Sequence, residues 1–275
     1  MDGKTIRMNR ILESGKAVIV PMDHGVSEGP IEGLVDTHRM VSLVEKGGAS
    51  AVLLHKGIMK SLTKPPKCGT IMHLSAGTKY GEDKNKKVLV SSVDQAIRLG
   101  ADAISVHINI GGSASEPDML EHLGIIADEC DEKGMPLLAM TYARGKNVTA
   151  SAAEIAHVAR IGAELGADIV KCPYTGDITS MRHVVDSCPV PVVIAGGPKC
   201  DHDYEVLRMV EDAMMAGAIG ISLGRNIFQH PRPDLMTAAL RAVIVDGVSA
   251  KDASAILRGY VKDIVIERLP VEAAR

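Results

Sequence analysis

The chain of 275 residues has no tryptophan, one phenylalanine and five tyrosines. Proteins that hold single-stranded nucleic acid stack its bases on aromatic side chains, so this shortage argues against that class. Charge of one sign is also missing. There are 31 basic and 34 acidic residues, a net charge of −3, and that balance exerts no long-range pull on nucleic acid or an anionic membrane. The five cysteines (Cys68, Cys130, Cys172, Cys188, Cys200) are odd in number and widely spaced, with no C-x-x-C among them. Zinc-site and dithiol redox readings therefore fail, and a reduced compartment is expected. No apolar run reaches the roughly 18 residues of a membrane helix, and the first residues are polar rather than signal-like. The expectation is a cytoplasmic protein with neither a nucleic-acid nor a membrane partner.

Hydrophobic residues make up 46% of the chain, enough for a large aliphatic core in which 14 methionines take places that aromatics usually fill. No linker, low-complexity segment or charge run divides it, so residues 1–275 read as one domain. Residues 1–16 form a polar lead-in with a short helix over 4–12. Ala17-Val-Ile-Val-Pro-Met22 is a continuous apolar run, as in a parallel strand buried on both faces. A loop follows, with Gly29 and Pro30, and then an amphipathic helix with Val41, Leu43 and Val44 on its apolar side.

A unit then recurs. Gly48-Ala49, Gly100-Ala101, Gly166-Ala167 and Gly217-Ala218 each close a helical segment and lead into a short apolar run. Glycine suits the left-handed position that ends a helix. Val52, Ile104, Val170 and Ile221 stand at one place in these runs, and Leu53, Ser105, Lys171 and Ser222 at the next, so the two sets face opposite sides. Further strands are expected over 70–74, 136–141 and 190–195. That places strands near residues 18, 51, 70, 102, 136, 168, 191 and 219, with 87–91 as a possible ninth. Helices are expected over 151–165, 203–216, 234–245 and 249–268. The G-x-G-x-x-G fingerprint of a doubly wound sheet is absent after the first strand. The pattern is that of a single-domain (β/α)8 TIM barrel.

Barrel enzymes keep their chemistry at the C-terminal ends of the strands. Those ends offer Asp23 and His24, then His55, His107, Tyr142 with Arg144, and Lys171. A buried lysine in a dry pocket holds more of its neutral amine, and that amine attacks carbonyls to form a Schiff base. The plainer alternative is a lysine that reaches solvent or pairs with a carboxylate. Asp23 fits a general acid or base, or a loop cap. Tyr142 fits a proton donor, or simple amphipathic packing. Arg144 fits an anion contact or a surface ion pair. Three histidines at strand ends raise a metal, but no H-x-H or carboxylate cluster supports one. Gly196-Gly197 after the seventh strand and Gly224-Arg225 after the eighth leave N–H groups and a guanidinium for a phosphate, at a place where barrels often hold one. A lysine, an acid, a tyrosine and a phosphate site together suggest carbon–carbon chemistry through an iminium.

Several stretches resemble the archaeal-type class I aldolases, the DhnA-like family. They are Val20-Pro-Met-Asp-His-Gly-Val-Ser-Glu-Gly-Pro30, Val52-Leu-Leu-His-Lys-Gly57, Gly166-Ala-Asp-Ile-Val-Lys171, Tyr174-Thr-Gly-Asp177, Ala195-Gly-Gly-Pro-Lys199 and Gly224-Arg-Asn-Ile-Phe-Gln229. The resemblance implies Lys171 as the Schiff-base lysine, Asp23 as proton acceptor and Tyr142 as proton donor. It implies substrate contacts at Asp23, His24, Gly25, Val26, Ser27, Tyr142, Ala143 and Arg144. It implies phosphate contacts at Gly196, Gly197, Gly224 and Arg225, no metal or organic cofactor, and a homo-oligomer, typically a decamer. Pro21-Met22 and Val26-Ser27 around Asp23 resemble the subgroup that makes 2-amino-3,7-dideoxy-D-threo-hept-6-ulosonate. There 6-deoxy-5-ketofructose 1-phosphate gives a three-carbon unit to L-aspartate 4-semialdehyde and hydroxypyruvaldehyde phosphate leaves, on an alternative route to 3-dehydroquinate. A class I fructose 1,6-bisphosphate aldolase is the alternative, with Lys56, Lys146 or Lys199 supplying a second phosphate site. A non-catalytic sugar-phosphate-binding barrel and a cofactor-free isomerase, in which Lys171 would be dispensable, are the others. The lysine- and proline-rich loop over 64–69 matches no known role.

Overall fold

The computed structural model describes residues 2–259. Chain order is α1 (Gly3–Ile11), β1 (Ala17–Pro21), α2 (His24–Glu28), α3 (Thr37–Lys46), β2 (Ala51–Leu54), α4 (Lys56–Ser61) and β3 (Gly69–His73). Next come β4 (Ser75–Ala76), β5 (Val88–Leu89), α5 (Val93–Arg98), β6 (Ala103–Ile110), α6 (Glu116–Glu132), β7 (Leu137–Ala143), α7 (Ala152–Glu164) and β8 (Ile169–Pro173). The chain continues through α8 (Ile178–Ser187), β9 (Val192–Ala195), α9 (Asp203–Met215), β10 (Gly220–Ser222), α10 (Arg225–Phe228), α11 (Pro233–Ile244) and α12 (Ala250–Leu257). Eight strands close into a parallel barrel in the order β1-β10-β9-β8-β7-β6-β3-β2. This is the expected TIM barrel. β4 and β5 form a separate antiparallel pair at the barrel mouth, so the possible ninth strand is only two residues long and stands outside the barrel.

The alternation read from the repeats holds in three dimensions. Val52, Ile104, Val170 and Ile221 pack outward against the helices in one continuous apolar layer. Leu53 and Ile169 face the barrel interior with Ile19, Ile71, Leu138, Met140 and Val193. The interior is thus a packed core at its lower end, as barrel geometry requires.

The lead-in closes that lower end. Asp2 caps α1 by accepting from the Thr5 N–H at 2.8 Å. Ile11 is fully buried in the interior cluster, and the Ser50 hydroxyl donates to its carbonyl at 2.8 Å. Lys4 pairs with Asp131 and Asp168, both at 3.1 Å. A Cβ at Gly69 would stand 2.5 Å from the Arg10 carbonyl oxygen, so only glycine lets the plug approach this strand. The loop over 64–69 enters β3 on this same closed face, where Glu45 accepts from the Lys67 and Cys68 N–H groups. It is remote from the barrel mouth.

Several expected boundaries move, two of them by three residues or more. β6 runs three residues past His107 to Ile110, because its neighbour β7 pairs along the whole length up to Ala143. α12 ends at Leu257, followed by Gly259 with φ of 73°, short of the helix expected over 249–268. The remainder of that expected helix lies outside the described residues. Among the described residues no helix is long and apolar enough to cross a membrane.

Candidate active site

Side chains on a strand alternate faces, so each residue two places beyond an interior apolar one also points inward. Beyond Leu53 stands His55; beyond Ile71, His73; beyond Met140, Tyr142; and beyond Ile169, Lys171. His107 follows Ser105 in the same way, and Asp23 follows Pro21. All of these residues line one cavity of about 250 Å³ at the barrel mouth.

Lys171 is the deepest cation of the group. It is 6% exposed, and among the described residues no carboxylate oxygen lies within 4.0 Å of its ammonium. Its strand pairs with β7 at Met140 and with β9 at Val193, so apolar neighbours flank it on both sides. The plainer alternative of a solvent-reaching or ion-paired lysine does not fit this placement.

Asp23 stands at the end of β1, just before α2. Burial alone would raise its carboxyl, but His73, His24, Lys171 and His55 surround it and hold it well below the usual carboxylate range. Its oxygens lie 3.6 Å from His24 Nδ1 and 3.8 Å from His73 Nε2. Burial pushes His73 down to about 4, with Asp23 opposing the shift. Burial lowers His24 and His55 as well, and takes His107 well below its ordinary range. At neutral pH the cluster is therefore one carboxylate among neutral imidazoles. His73 Nδ1 meets Ser105 Oγ at 2.6 Å, and the His55 and His73 rings pack edge-on at 5.2 Å. Among the described residues no group of three His, Cys, Asp or Glu side chains converges as a metal site would require.

Tyr142 is held between two partners. The Arg144 guanidinium lies 4.1 Å from its ring centroid and the His107 ring 4.9 Å from it. The cation over the ring face is attracted by the ring quadrupole, which fixes the plane of the phenol. His107 is itself fixed by Asn109 Oδ1, 2.9 Å from its Nε2.

A second lobe opens from the first beside Lys171, Tyr142 and Arg144, and is lined by Gly196, Gly197, Gly224 and Arg225. The two glycine loops meet through Asn226, which is 4% exposed. Its amide donates to the carbonyls of Gly196 (2.9 Å) and Pro198 (3.2 Å), and its oxygen accepts from the Cys200 N–H at 2.8 Å. A Cβ at Gly224 would stand 2.7 Å from His24 Cε1, and one at Gly196 would stand 2.7 Å from Leu223 Cγ. Those two glycines are required by packing as well as by any ligand. Gly197 is open in space and has φ of 64°. Because α10 is only four residues long, what it offers an anion is its first N–H groups and Arg225 rather than a macrodipole. Among the described residues, Arg225 Nε and Ser222 Oγ are buried without a hydrogen-bond partner. Buried polar atoms left in that state are costly, and an anion in this lobe would satisfy them.

The structure brings the expected residues together with few exceptions. Asp23, His24, Val26, Ser27, Tyr142, Arg144 and Lys171 line the first lobe and Ala143 the second, while Gly25 stands in α2 without lining either. The three lysines considered for a second phosphate do not line these lobes. Lys56 donates to the Val90 carbonyl, Lys199 donates to the Gln229 carbonyl at 2.9 Å, and Lys146 contributes to neither wall. His73, Lys87 and Asn226 were not foreseen as site residues. The spacing Ile71-x-His73 carried a signal, since it repeats Leu53-x-His55.

The family model for DeoC/LacD family aldolases matches residues 17–230. A 2-amino-3,7-dideoxy-D-threo-hept-6-ulosonate synthase of Halobacterium salinarum is 44% identical over 256 residues, covering 92% of this chain and 96% of that protein. A 2-amino-4,5-dihydroxy-6-oxo-7-(phosphonooxy)heptanoate synthase of Streptomyces griseus is 36% identical, covering 88% and 90%. Among solved structures, an archaeal fructose-1,6-bisphosphate aldolase with its catalytic lysine bound to the carbinolamine intermediate superposes with a TM-score of 0.83 at 30% identity, covering 88% of this chain and 99% of that one. A chain with these strand ends, matched by that family model along the whole barrel, belongs to the DeoC/LacD family of aldolases.

Proposed function

We propose that this enzyme makes 2-amino-3,7-dideoxy-D-threo-hept-6-ulosonate, the product for which its Halobacterium relative is named. The product's structure states its own assembly. A ketone at C6 and hydroxyls at C4 and C5 are what an aldol bond between C4 and C5 leaves behind. Carbons 1–4 are then L-aspartate 4-semialdehyde, and carbons 5–7 are a hydroxyacetone unit. The Lys171 amine attacks the donor ketone and expels water, giving an iminium. Asp23, kept ionised by its surroundings, accepts the proton of the neighbouring hydroxyl as the donor bond breaks. The bond's electrons pass into the iminium to give an enamine, and hydroxypyruvaldehyde phosphate leaves. The enamine carbon attacks the aldehyde of L-aspartate 4-semialdehyde, Tyr142 protonates the new alkoxide, and the proton on Asp23 restores the phenol. Water then releases Lys171. The observation that carries this reading is the buried, carboxylate-free Lys171 beside an ionised Asp23.

One observation favours a second donor. The lobe next to Lys171 receives the substituent on C7, and it holds Arg225 Nε and Ser222 Oγ without partners among the described residues. The Streptomyces relative is named for a product with a phosphate at that carbon. Dihydroxyacetone phosphate would supply it. Borohydride trapping with peptide mapping tests both readings, and 6-deoxy-5-ketofructose 1-phosphate, dihydroxyacetone phosphate and fructose 1,6-bisphosphate are offered in parallel. A reduced adduct on Lys171 with the first donor is expected. A stronger adduct with dihydroxyacetone phosphate selects the second reading, and one with the bisphosphate selects the aldolase. No adduct with any of them overturns the Schiff-base mechanism. The homo-oligomer is part of the same proposal, and a monomer in sedimentation velocity would remove it.

A further inference from the structure

One wall of the first lobe carries two cations, Lys87 and Arg144, that make no ion pair within 4.0 Å among the described residues. Lys87 immediately precedes β5, in the excursion between β3 and β6. In the closed strand order β3 stands four places from β9, so this excursion rises across the mouth from Gly196 and Gly197. Lys87 packs over Gly77, where an added Cβ would lie 3.0 Å from its Nζ and 3.2 Å from its Cδ.

The loop that carries Lys87 is anchored rather than loose. Asp83 accepts from the hydroxyls of Ser113 (2.6 Å) and Ser115 (2.7 Å), and from the Asn85 N–H at 2.8 Å. The Asn85 carbonyl accepts from the Asn109 amide at 2.7 Å, and Asn109 in turn holds His107. The ammonium is thus set by a network that includes β6. Burial lowers its pKa and Arg144 lowers it further, with Asp23 opposing. Two like charges that face one lobe repel each other, and an anion between them relieves the repulsion.

The reaction supplies such anions twice, and this inference rests on the proposed transaldol reading. The aldehyde that leaves carries a phosphate at its far end. The aldehyde that enters carries the C1 carboxylate at its far end. Both occupy the same face of the enamine in turn, opposite the carbon that points at the glycine loops. We propose that Lys87, with Arg144, is the anion subsite for the tail of the aldehyde, and that Lys87 determines the enzyme's preference for an aldehyde whose far end carries a carboxylate or phosphate. Lys87 donates to the carboxylate or phosphate oxygen, and Arg144 completes the contact from above Tyr142.

The test compares Lys87→Met and Lys87→Arg with the wild type on two acceptors, L-aspartate 4-semialdehyde and 3-aminopropanal, which keeps the amine and lacks the carboxylate. The readout is the ratio of kcat/KM for the two. The ratio should fall roughly ten- to hundredfold in Lys87→Met, as expected for losing a charge-assisted hydrogen bond, and should be largely restored in Lys87→Arg. A variant that folds poorly loses both activities and keeps the ratio, so an unchanged ratio overturns the proposal. The KM for 6-deoxy-5-ketofructose 1-phosphate, read in the same variants by release of hydroxypyruvaldehyde phosphate, separates the phosphate from the carboxylate as the anion held. If wild-type Lys171 gives no borohydride adduct with 6-deoxy-5-ketofructose 1-phosphate, it is the transaldol reading that fails, independently of Lys87.

Discussion

The lower and upper ends of the barrel interior are built from the same strands in the same register, yet they are opposite in character. Below, Ile19, Leu53, Ile71, Leu138 and Ile169 fill the space and Ile11 seals it. Two residues further along their strands His55, His73 and Lys171 face the mouth, and four residues further along so do Asp23 and Tyr142. The comparison teaches how a lysine and a carboxylate are kept almost out of water. The apolar floor excludes solvent from beneath, so the charges above it act in a low-dielectric site where they interact strongly.

That division of labour can be broken one end at a time. The largest effect belongs to Lys171→Met, which should abolish the borohydride adduct and lower turnover by about 10⁴-fold or more, as removal of a covalent nucleophile does. Asp23→Asn should lower turnover by about 10²- to 10⁴-fold, the range for a general acid–base group. Its Lys171 should still trap a donor ketone, which separates proton transfer from imine formation by mass spectrometry. At the other end, Ile71→Ala should cost about 2–5 kcal/mol in denaturant unfolding. It should leave the Lys171 adduct intact well below the melting temperature.

The smallest effect is in pH. His73 is neutral when folded, with its pKa pushed from 6.5 down to about 4. In the unfolded chain its imidazole takes up a proton near pH 6.5. Between those values the unfolded state holds more protons, so stability is lost as pH falls from 6.5 toward 4. Asp23, also depressed, adds a loss of the same sign at still lower pH. Melting temperatures should therefore decline on acidification, and His73→Asn should give a shallower slope over the His73 window. An unchanged slope would mean that the other buried histidines carry the titration.

The barrel was legible because its evidence is local. Gly48, Gly100, Gly166 and Gly217 punctuate the chain, and alternate residues after them sort into two faces. Lys171 and Asp23 were legible for the same reason, each being a charged residue at the end of an apolar run. His73 lies inside the strand expected over 70–74, and only closure of the sheet brings it to Asp23. Lys87 could not be placed from sequence at all. Its position depends on the pairing of β5 with β4 and on the side-chain bonds of Asp83 and Asn109, contacts between residues far apart in the chain. Lys56, Lys146 and Lys199 were equally plausible by spacing, and the backbone carbonyls of Val90 and Gln229 hold two of them. The closing helix ran short because a glycine with positive φ at 259 follows it.

Asn226 leaves a mark on how this enzyme can change. One amide stitches the turn after β9 to the turn after β10, so neither turn can be redrawn alone without loosening the other. An engineer who wishes to alter the donor would have to transplant both turns and the asparagine together. The wall that carries Lys87 stands four strands away and, among the described residues, shares no bond with Asn226, so it could be exchanged without redrawing either turn, provided Asn109, Ser113 and Ser115 travel with it.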